Sequence, residues 1–318
     1  MIGTLARGLV AGAAGTTALN AVTHLDVLWR GRAPSETPRR VVDALAAAAG
    51  TRVPGRGAVR GHRRTALGAI GGIGTGLGIG VLASVARAAG VRFPAPVGAV
   101  VTGAAAMAGT DLPVAALGVS DLRVWSAADW AADAVPHLAY GAAVQGVLSA
   151  VPVAWEQRDL RTPASPGLVL RSAVLGLATG GRSSLAVAGP VLADPRSRGV
   201  SRLGALAAVA GELVADKQPG VPARTSAQSL PVRLLGGAGA AGWLAGREGA
   251  NGAAPVAAGL LGAIGGSFGG LAWRRWAGAR VPDWQAALAE DAVAIALAAA
   301  ACLPGRRTRR VPLSVVRS

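Results

Sequence analysis

The 318-residue sequence contains one cysteine, one lysine and few aromatic residues. Because Cys302 has no second cysteine to pair with, an intrachain disulfide is excluded within this sequence. Aromatic residues make up 3% of the chain and charged residues 15%, against about 25% charged residues in a typical soluble domain. The chain is instead 52% hydrophobic, with 47 glycines and a mean hydropathy of +0.44. This composition is typical of a membrane protein.

The chain is strongly basic, with a net charge of +16, and arginine supplies nearly all of its 32 basic residues. In a soluble chain this charge would suggest nucleic-acid binding. Nine arginines fall within residues 30–64, however, where only Glu36 and Asp43 oppose them. A short basic loop beside membrane spans is retained in the cytoplasm, where it faces anionic headgroups. We therefore predict membrane lipids as partners at loop 30–64, and no nucleic acid, because aromatic side chains that stack on bases are scarce.

Uncharged runs predict transmembrane helices, since a spanning helix needs about 20 apolar residues. Five runs are continuous: residues 8–25, 65–86, 93–110, 134–155 and 249–273. Three runs are short or interrupted by charge: residues 172–193, 234–246 and 292–303. Residues 203–215 form either a ninth span or a buried half-helix, and this choice decides on which side the C-terminus lies. We predict an all-α fold, a polytopic helical membrane protein with about eight to nine transmembrane helices.

Two pairs of similar stretches indicate an internal duplication. Residues 94–109 resemble residues 253–270, and residues 129–144 resemble residues 283–300, with partners about 155 to 160 residues apart. We predict two tandem pseudo-repeats, either parallel or inverted, a plan that many transporters share. The predicted boundaries are residues 1–160 for the first repeat, residues 168–303 for the second and residues 304–318 for a basic C-terminal tail.

The first apolar run has two interpretations. Arg7 precedes it and small residues follow, as in a cleaved signal peptide. Residues 5–19 also resemble residues 170–185, which favours a retained first helix of the repeat. The segment that follows, residues 34–50, predicts an interfacial amphipathic helix, because Ser35 can cap its start and one face is apolar.

Glycines recur at four-residue spacing in both halves, which places them on one stripe of a helix. The stripes comprise Gly68, Gly72, Gly76 and Gly80, and then Gly262, Gly266 and Gly270. Without a Cβ atom, such a stripe lets another backbone approach closely. We predict helix packing, either within the chain or against a second copy in a homo-oligomer. The Gly-x-Ser-x-Gly at residues 265–269 lies within an apolar helical run, where a nucleophile elbow does not belong.

Ionisable residues inside the apolar second half are the main candidates for a functional site, because charges at membrane depth are costly. The candidates are Arg182, Glu212, Asp216, Lys217, Glu290 and Asp291. Glu212 and Asp216 lie one helical turn apart, so a nearby cation such as Arg182 or Lys217 would be needed to keep both ionised. The set predicts either a structural ion-pair cluster or a solvated helix end, or else a site that binds a proton or a cation.

A secondary polar group in the first half comprises Asp129, Asp133 and His137, spaced four residues apart. A metal site would need three such ligands with supporting hydrogen bonds. The start of an interfacial helix with a satisfied histidine is the simpler interpretation, and we predict no metal and no cofactor. Near the first run, His24 and Asp26 predict either a proton relay or the membrane interface that Trp29 marks.

Three stretches of the second half resemble a family of bacterial integral-membrane proteins that is known only as a domain of unknown function. They are Gly-Gly-Arg-Ser at 180–183, Glu-Leu-Val-Ala-Asp-Lys-Gln-Pro at 212–219 and Leu-Ala-Glu-Asp at 288–291. The resemblance covers roughly residues 168–303. It implies a small multi-spanning helical domain and no assigned substrate or reaction. In the first half, Glu212, Lys217 and Glu290 have no clear equivalents.

These patterns predict an ion or small-solute translocator in the bacterial inner membrane, with its site in the second half. Glu212, Asp216 and Glu290 would bind the proton or cation, and Arg182 and Lys217 would balance their charge in the empty state. The alternative is a non-catalytic membrane scaffold, or a protein that interacts with lipid, packed through its glycine stripes. We predict no enzyme, because no nucleophile and base occur at a suitable spacing.

Overall fold

The computed structural model of this chain describes residues 2–31, 33–154, 156, 159, 161–216, 223–226 and 228–303. Lys217 and the tail 304–318 lie outside these residues. Within them the fold is helical, with eleven α-helices and one short 3-10 helix. The described residues contain no strand, and a single isolated bridge joins Thr162 and Ala250. The predicted all-α fold is confirmed at this level.

The chain divides into two compact units, Met1–Leu160 and Arg161–Ser318. The described helices of the first unit are α1 (Ile2–Arg30), α2 (Thr37–Ala48), α3 (Gly57–Ala88), α4 (Ala95–Ala116), the 3-10 helix (Leu122–Val124) and α5 (Ala127–Ala150). Those of the second unit are α6 (Pro166–Gly181), α7 (Leu185–Ala193), α8 (Gly199–Ala215), α9 (Ser229–Glu248), α10 (Ala253–Gly278) and α11 (Asp283–Cys302).

Local sequence explains where several helices begin and end. Ser126 and Asp129 form a capping box at the start of α5, in which each side chain binds the other residue's backbone N–H. Ser165 caps α6, where Pro166 occupies the first turn without leaving a donor unsatisfied. Gly249 ends α9 with a φ of +64°, a left-handed conformation that glycine adopts without strain.

Four of the described helices are long and apolar enough to cross a membrane: α3, α4, α10 and α11. The continuous run 65–86 falls within α3, and the runs 93–110 and 249–273 overlap α4 and α10 except for their first residues. The run 292–303 is only the second half of α11, which begins at Asp283 and continues through two acidic residues. The runs 8–25 and 134–155 correspond to α1 and α5, which are not among the four because their polar residues lower the mean hydropathy.

The glycine stripe of α3 does not form one packing surface. A Cβ atom at Gly80 would lie 2.6 Å from the carbonyl oxygen of Gly8 in α1, so these two helices depend on glycine for their close approach. Gly76 also faces α1, whereas Gly68 lies against Pro38 of α2. A Cβ atom at Gly72 would have no neighbour within 4 Å among the described residues. The stripe therefore has several different surroundings along one helix.

The glycines of α10 have a more uniform environment. A Cβ atom at Gly262 would collide with the carbonyl group of Ala173, and one at Gly266 with the carbonyl group of Leu177, both in α6. Gly270, one turn further on, lies beside charged side chains instead of backbone. The α6–α10 pair is therefore packed backbone against backbone through its small residues.

The two units pair their helices differently. In the first unit α1 packs mainly against α3 and α5, and α4 packs against α5. In the second unit α6 packs mainly against α10, and then against α9 and α11. The similar stretches of sequence lie on α4 and α10, and on α5 and α11. Helices of related sequence thus have different principal neighbours, and a common origin of the two halves stays a prediction.

Candidate functional site

The second unit contains a break between two helices at the point where Arg182 interrupts the apolar sequence. α6 ends at Gly181, Arg182 is extended with φ −137° and ψ 109°, and α7 begins at Leu185. A helix end leaves backbone groups without partners inside the helix, carbonyls at the C-terminus and N–H groups at the N-terminus. Both kinds of group therefore meet within a few residues of each other.

Arg233 of α9 binds the carbonyl end of this break. Its Nη1 donates to the carbonyl oxygens of Gly180 and Gly181, at 2.9 Å in each case. The residue is 5% exposed. A guanidinium group at a helix C-terminus also interacts favourably with the helix dipole. Arg233 therefore satisfies the carbonyl groups that end α6.

Glu212 of α8 binds the amide end of the break. Its Oε1 accepts from the backbone N–H of Ser183 at 2.8 Å, and its Oε2 accepts from that of Ser184 at 2.7 Å. The Ser183 hydroxyl donates a further bond of 2.8 Å. Arg233 Nη2 lies 3.4 Å from Glu212 Oε1, so the two side chains also pair with each other. A carboxylate at a helix N-terminus is favoured by the N–H groups and by the dipole together.

Arg182 itself connects α6 to two acidic residues. Its Nε donates to Asp291 Oδ1 at 2.7 Å, and its Nη2 also binds Asp291. Its Nη1 binds the carboxylate of Asp216, directly after α8. Arg182 and Asp291 are 3% and 4% exposed, so this pair is screened from solvent within the unit. Removing one partner of such a pair leaves an uncompensated buried charge.

Arg224 and Glu290 form the remaining ion pair, next to a glycine. Arg224 Nη2 donates to Glu290 Oε2 at 3.3 Å, and Nη1 binds Glu290 Oε1. A Cβ atom at Gly270 would lie 2.5 Å from Glu290 Oε1, so only glycine leaves room for the pair at this position. Gly270 therefore accommodates side chains of the site, in contrast to Gly262 and Gly266.

The structure brings together five of the six residues predicted from the second half, and it adds two arginines. We call this set the ion-pair network: Arg182, Glu212, Asp216, Arg224, Arg233, Glu290 and Asp291. Arg233 directly precedes the uncharged run 234–246, and this position could have identified it as a candidate from the sequence. Arg224 lies in a polar segment, where spacing gives no signal.

Four carboxylates and three guanidinium groups make up the ion-pair network. If all seven are ionised, the ion-pair network carries a net charge of −1. Each carboxylate contacts an arginine, and Glu212 also accepts backbone N–H groups. The network can therefore respond chemically in two ways: a carboxylate can take up a proton, or a cation can replace a guanidinium group. Among the described residues, no group of three or more His, Cys, Asp or Glu side chains could hold a metal ion.

The secondary polar group of the first unit separates into two places. Asp129 caps α5 through Ser126, and the hydrogen bonds from the Ser126 hydroxyl and backbone N–H lower the pKa of Asp129 below its ordinary value. Asp133 and His137 face α4 instead, with His137 Nδ1 3.3 Å from Asp133 Oδ2. Asp111 of α4 joins this pair and was not predicted, because it directly follows the uncharged run 93–110.

His24 and Asp26, for which a proton relay was one of two interpretations, each contact another residue of α1. His24 Nδ1 lies 2.6 Å from the carbonyl oxygen of Asn20. Asp26 forms an ion pair with Arg30, at 2.7 Å. Both interactions stay within α1 near its C-terminal end, which agrees with the interfacial interpretation of these residues.

A buried ion pair at the other end of the first unit was also missed from the sequence. Arg7 of α1 binds Glu156 through two hydrogen bonds of 2.8 and 2.7 Å, and donates to the hydroxyl and the carbonyl of Ser84 in α3. Burial alone would raise the pKa of Glu156. The hydrogen bonds and positive charge of Arg7, together with Arg87 and Arg92, outweigh burial and lower it. The pair fixes the start of α1 to α3 and to the segment that follows α5.

Comparison of the chain with protein-family models, with curated proteins and with solved structures found no match. The resemblance carried by the motifs at 180–183, 212–219 and 288–291 stays a prediction, and residues 217–219 lie outside the described part of the chain.

Proposed function

We propose that this chain is a multi-pass protein of the bacterial inner membrane whose second unit translocates a proton, a cation or a small solute through the ion-pair network. The main observation in support is the helix break at Arg182, where ionisable side chains bind the backbone groups of both helix ends. Transporters use discontinuous helices in this way, with the backbone groups of the break directed at charged ligands. Ionisable residues at membrane depth mark ion or proton pathways by default.

The position of the network supports this proposal. Glu290 and Asp291 lie about 12 Å from the N-terminal end of α11, at 1.5 Å per residue. Trp273, Trp276 and Trp284 flank the connection between α10 and α11, as aromatic residues do at a membrane interface. The charged groups would therefore lie below the interface, at a depth where unpaired charge is unfavourable.

The contacts suggest how the network would work. In the arrangement described here, Arg182 occupies the place of a bound cation between Asp216 and Asp291. A proton or cation that reaches these carboxylates would weaken their hold on Arg182. Protonation of Glu212 would likewise weaken its bonds to the N–H groups of Ser183 and Ser184. Both events would weaken the contacts that hold the helix break in place, so ligand binding would be coupled to movement of α7.

The proposal is tested with purified protein in proteoliposomes that enclose a pH-sensitive dye, under a potassium diffusion potential. Proton entry is read from the dye and sodium entry from a radioactive tracer. We expect flux of one of these ions with the wild type, and its loss in Glu212→Gln and Glu290→Gln. Glu248→Gln is the matched control, because Glu248 pairs with Arg171 at a more exposed position outside the network. Flux that is unchanged in both network variants would contradict the assignment.

A non-catalytic scaffold is the second candidate, and a specific observation favours it. Every carboxylate of the network already has a partner, so the same contacts could simply hold α6, α8, α9 and α11 together. On this account the two Gln variants lower the unfolding temperature and the wild type carries no ion flux. The proteoliposome experiment therefore separates the two functions.

Anionic lipid is the partner that we propose for the basic segment of the first unit. Glu36 and Asp43 are neutralised by three arginines, with contacts of 2.9, 3.5 and 2.5 Å. The exposed arginines of this segment that have no carboxylate partner among the described residues are Arg40, Arg52, Arg56 and Arg63. Phosphatidylglycerol should raise the unfolding temperature of the wild type in detergent more than that of a variant with these four changed to Gln.

A further inference from the structure

Two carboxyl groups of the first unit face each other across α4 and α5. Asp111 of α4 lies within hydrogen-bonding reach of Asp133 of α5. Glycines allow this approach: a Cβ atom at Gly103 would lie 2.6 Å from the carbonyl oxygen of His137, and one at Gly141 would collide with the carbonyl group of Ala99. The two helices therefore cannot separate the carboxyl groups without losing their own packing.

One oxygen of each carboxyl group at this contact is buried and lacks a hydrogen-bond donor. The Oδ2 atoms of Asp111 and Asp133 are both buried, and neither has a hydrogen-bond partner. A buried acceptor without a donor is unfavourable, and two ionised carboxylates in contact repel each other. One proton between the two groups removes both problems, since a protonated carboxyl donates to the other.

A buried histidine completes the group. His137 is 7% exposed, and its Nδ1 lies 2.8 Å from the carbonyl oxygen of Asp133 and 3.3 Å from Asp133 Oδ2. Its Nε2 lies 3.4 Å from the hydroxyl oxygen of Thr110. Both ring nitrogens thus face oxygen atoms, an arrangement that suits the imidazolium form, in which both nitrogens donate.

The strongest charge–charge interactions of Asp111 and His137 are with other members of this group. The charged groups that act most strongly on Asp111 are Asp133 and His137, and on His137 they are Asp133 and Asp111. α3 contributes the apolar Ile79 beside Gly109, and α1 meets α5 one turn away, where Gly15 contacts Tyr140. Two ionised carboxylates and a neutral imidazole carry a charge of −2 together, so the group becomes neutral when it binds two protons.

We propose that Asp111, Asp133 and His137 form a proton-binding site, in which one proton is shared by the two carboxyl groups and a second is held by the histidine. The neutral, doubly protonated form is favoured because net charge is unfavourable where the carboxyl oxygens are buried. The two carboxyls lose and gain their protons as one coupled group. This site is independent of the ion-pair network in the second unit, so its test does not depend on transport.

Infrared spectroscopy of the full-length protein in lipid nanodiscs tests the site, because a protonated carboxyl has a C=O band that shifts in heavy water. At neutral pH, where exposed carboxyl groups are ionised, we expect the wild type to show this band. Asp111→Asn and Asp133→Asn should each abolish it. Asp129→Asn is the matched control on the same helix and should leave it unchanged, because Asp129 caps α5 and does not join the group.

His137→Gln gives a second test, because a purely structural role of this histidine would leave the intensity of the band unchanged. Without the imidazolium charge, both carboxyls must be protonated for the group to stay neutral, so the band should become stronger. Unfolding temperatures of the Asn variants show whether they are folded, which we expect because Asn has the same shape as Asp. The proposal is overturned if the wild type lacks the band at neutral pH, or if the band persists in both Asp111→Asn and Asp133→Asn.

Discussion

Glu212 and Arg233 meet at 3.4 Å, and each binds one side of the same helix break. The carboxylate holds the N–H groups that begin α7, and the guanidinium holds the carbonyls that end α6. The break is therefore stabilised by two opposite charges that also stabilise each other. Replacing either side chain therefore removes the hydrogen bonds of one helix end, together with the ion pair between Glu212 and Arg233.

Glu212→Ala should lower the free energy of unfolding by about 3 to 5 kcal/mol, the range seen when one partner of a buried ion pair is removed. The backbone N–H groups of Ser183 and Ser184 lose their acceptor, and Arg233 loses its counter-charge. Glu212→Gln should lower it by less, because the amide oxygen still accepts a hydrogen bond. Denaturant titration in detergent, followed by circular dichroism, measures both variants. Equal stability of Glu212→Ala and the wild type would contradict the described contacts.

Arg182 and Asp291 should show strong coupling in a double-mutant cycle. Arg182→Gln leaves Asp216 and Asp291 without their cation, and Asp291→Asn leaves Arg182 with only one carboxylate. The double variant should lose less unfolding free energy than the two single variants lose in sum, with an interaction energy of about 0.5 to 3 kcal/mol. Unfolding measurements on the wild type and the three variants give this value. Strict additivity would mean that the pair does not form.

Glycines that the sequence places on one stripe should respond differently to alanine. Gly80→Ala should destabilise the first unit, because the new methyl group meets the backbone of α1. Gly72→Ala should instead stabilise it by up to about 1 kcal/mol, the difference in helix propensity, since no other part of the described chain lies within 4 Å of the new methyl group. In the second unit Gly266→Ala and Gly269→Ala form the same kind of pair on α10. If the two variants of a pair unfold at similar temperatures, the close backbone contacts described for Gly80 and Gly266 do not form.

Acid should weaken the first unit through Glu156. Because the folded pKa of Glu156 lies below its ordinary value, the Arg7–Glu156 pair contributes stability above the unfolded pKa, about 4.3. This contribution is lost as the pH falls from there through the folded pKa. The unfolding temperature of the wild type minus that of Glu156→Gln should therefore shrink on acidification. Glu36→Gln, at an exposed pair, is the control, and a difference that is constant with pH would contradict the linkage.

The helices could be predicted from the sequence because uncharged runs, prolines and capping residues act locally. Their ends were less well predicted, since a run that stops at the first charge overlooks how far the helix continues. α4 extends through Asp111 and Pro113 to Ala116, and this is why the partner of Asp133 was missed. α11 similarly begins at Asp283 and carries two acidic residues near its middle.

The members of the candidate site were partly predictable for the same reason. Charges inside apolar stretches are conspicuous, so Arg182, Glu212 and Asp291 could be grouped without a structure. Which carboxylate binds which arginine depends on how the helices pack, and the spacing does not contain that information. Arg224 follows a polar segment that has no periodicity, and only the fold brings it to Glu290.

Accessibility of the helix break to water tests the central claim of a translocation site most directly. Cys302 is the only cysteine, and it is buried, so a Cys302→Ser background allows single-cysteine labelling. Ser184→Cys places a thiol at the break, beside the backbone N–H group that Glu212 binds. In membrane vesicles of both orientations, the account predicts that a membrane-impermeant thiol reagent labels this cysteine from each side, and that ions or protons change the two rates in opposite directions. Protection of the cysteine from both sides under all conditions would contradict it.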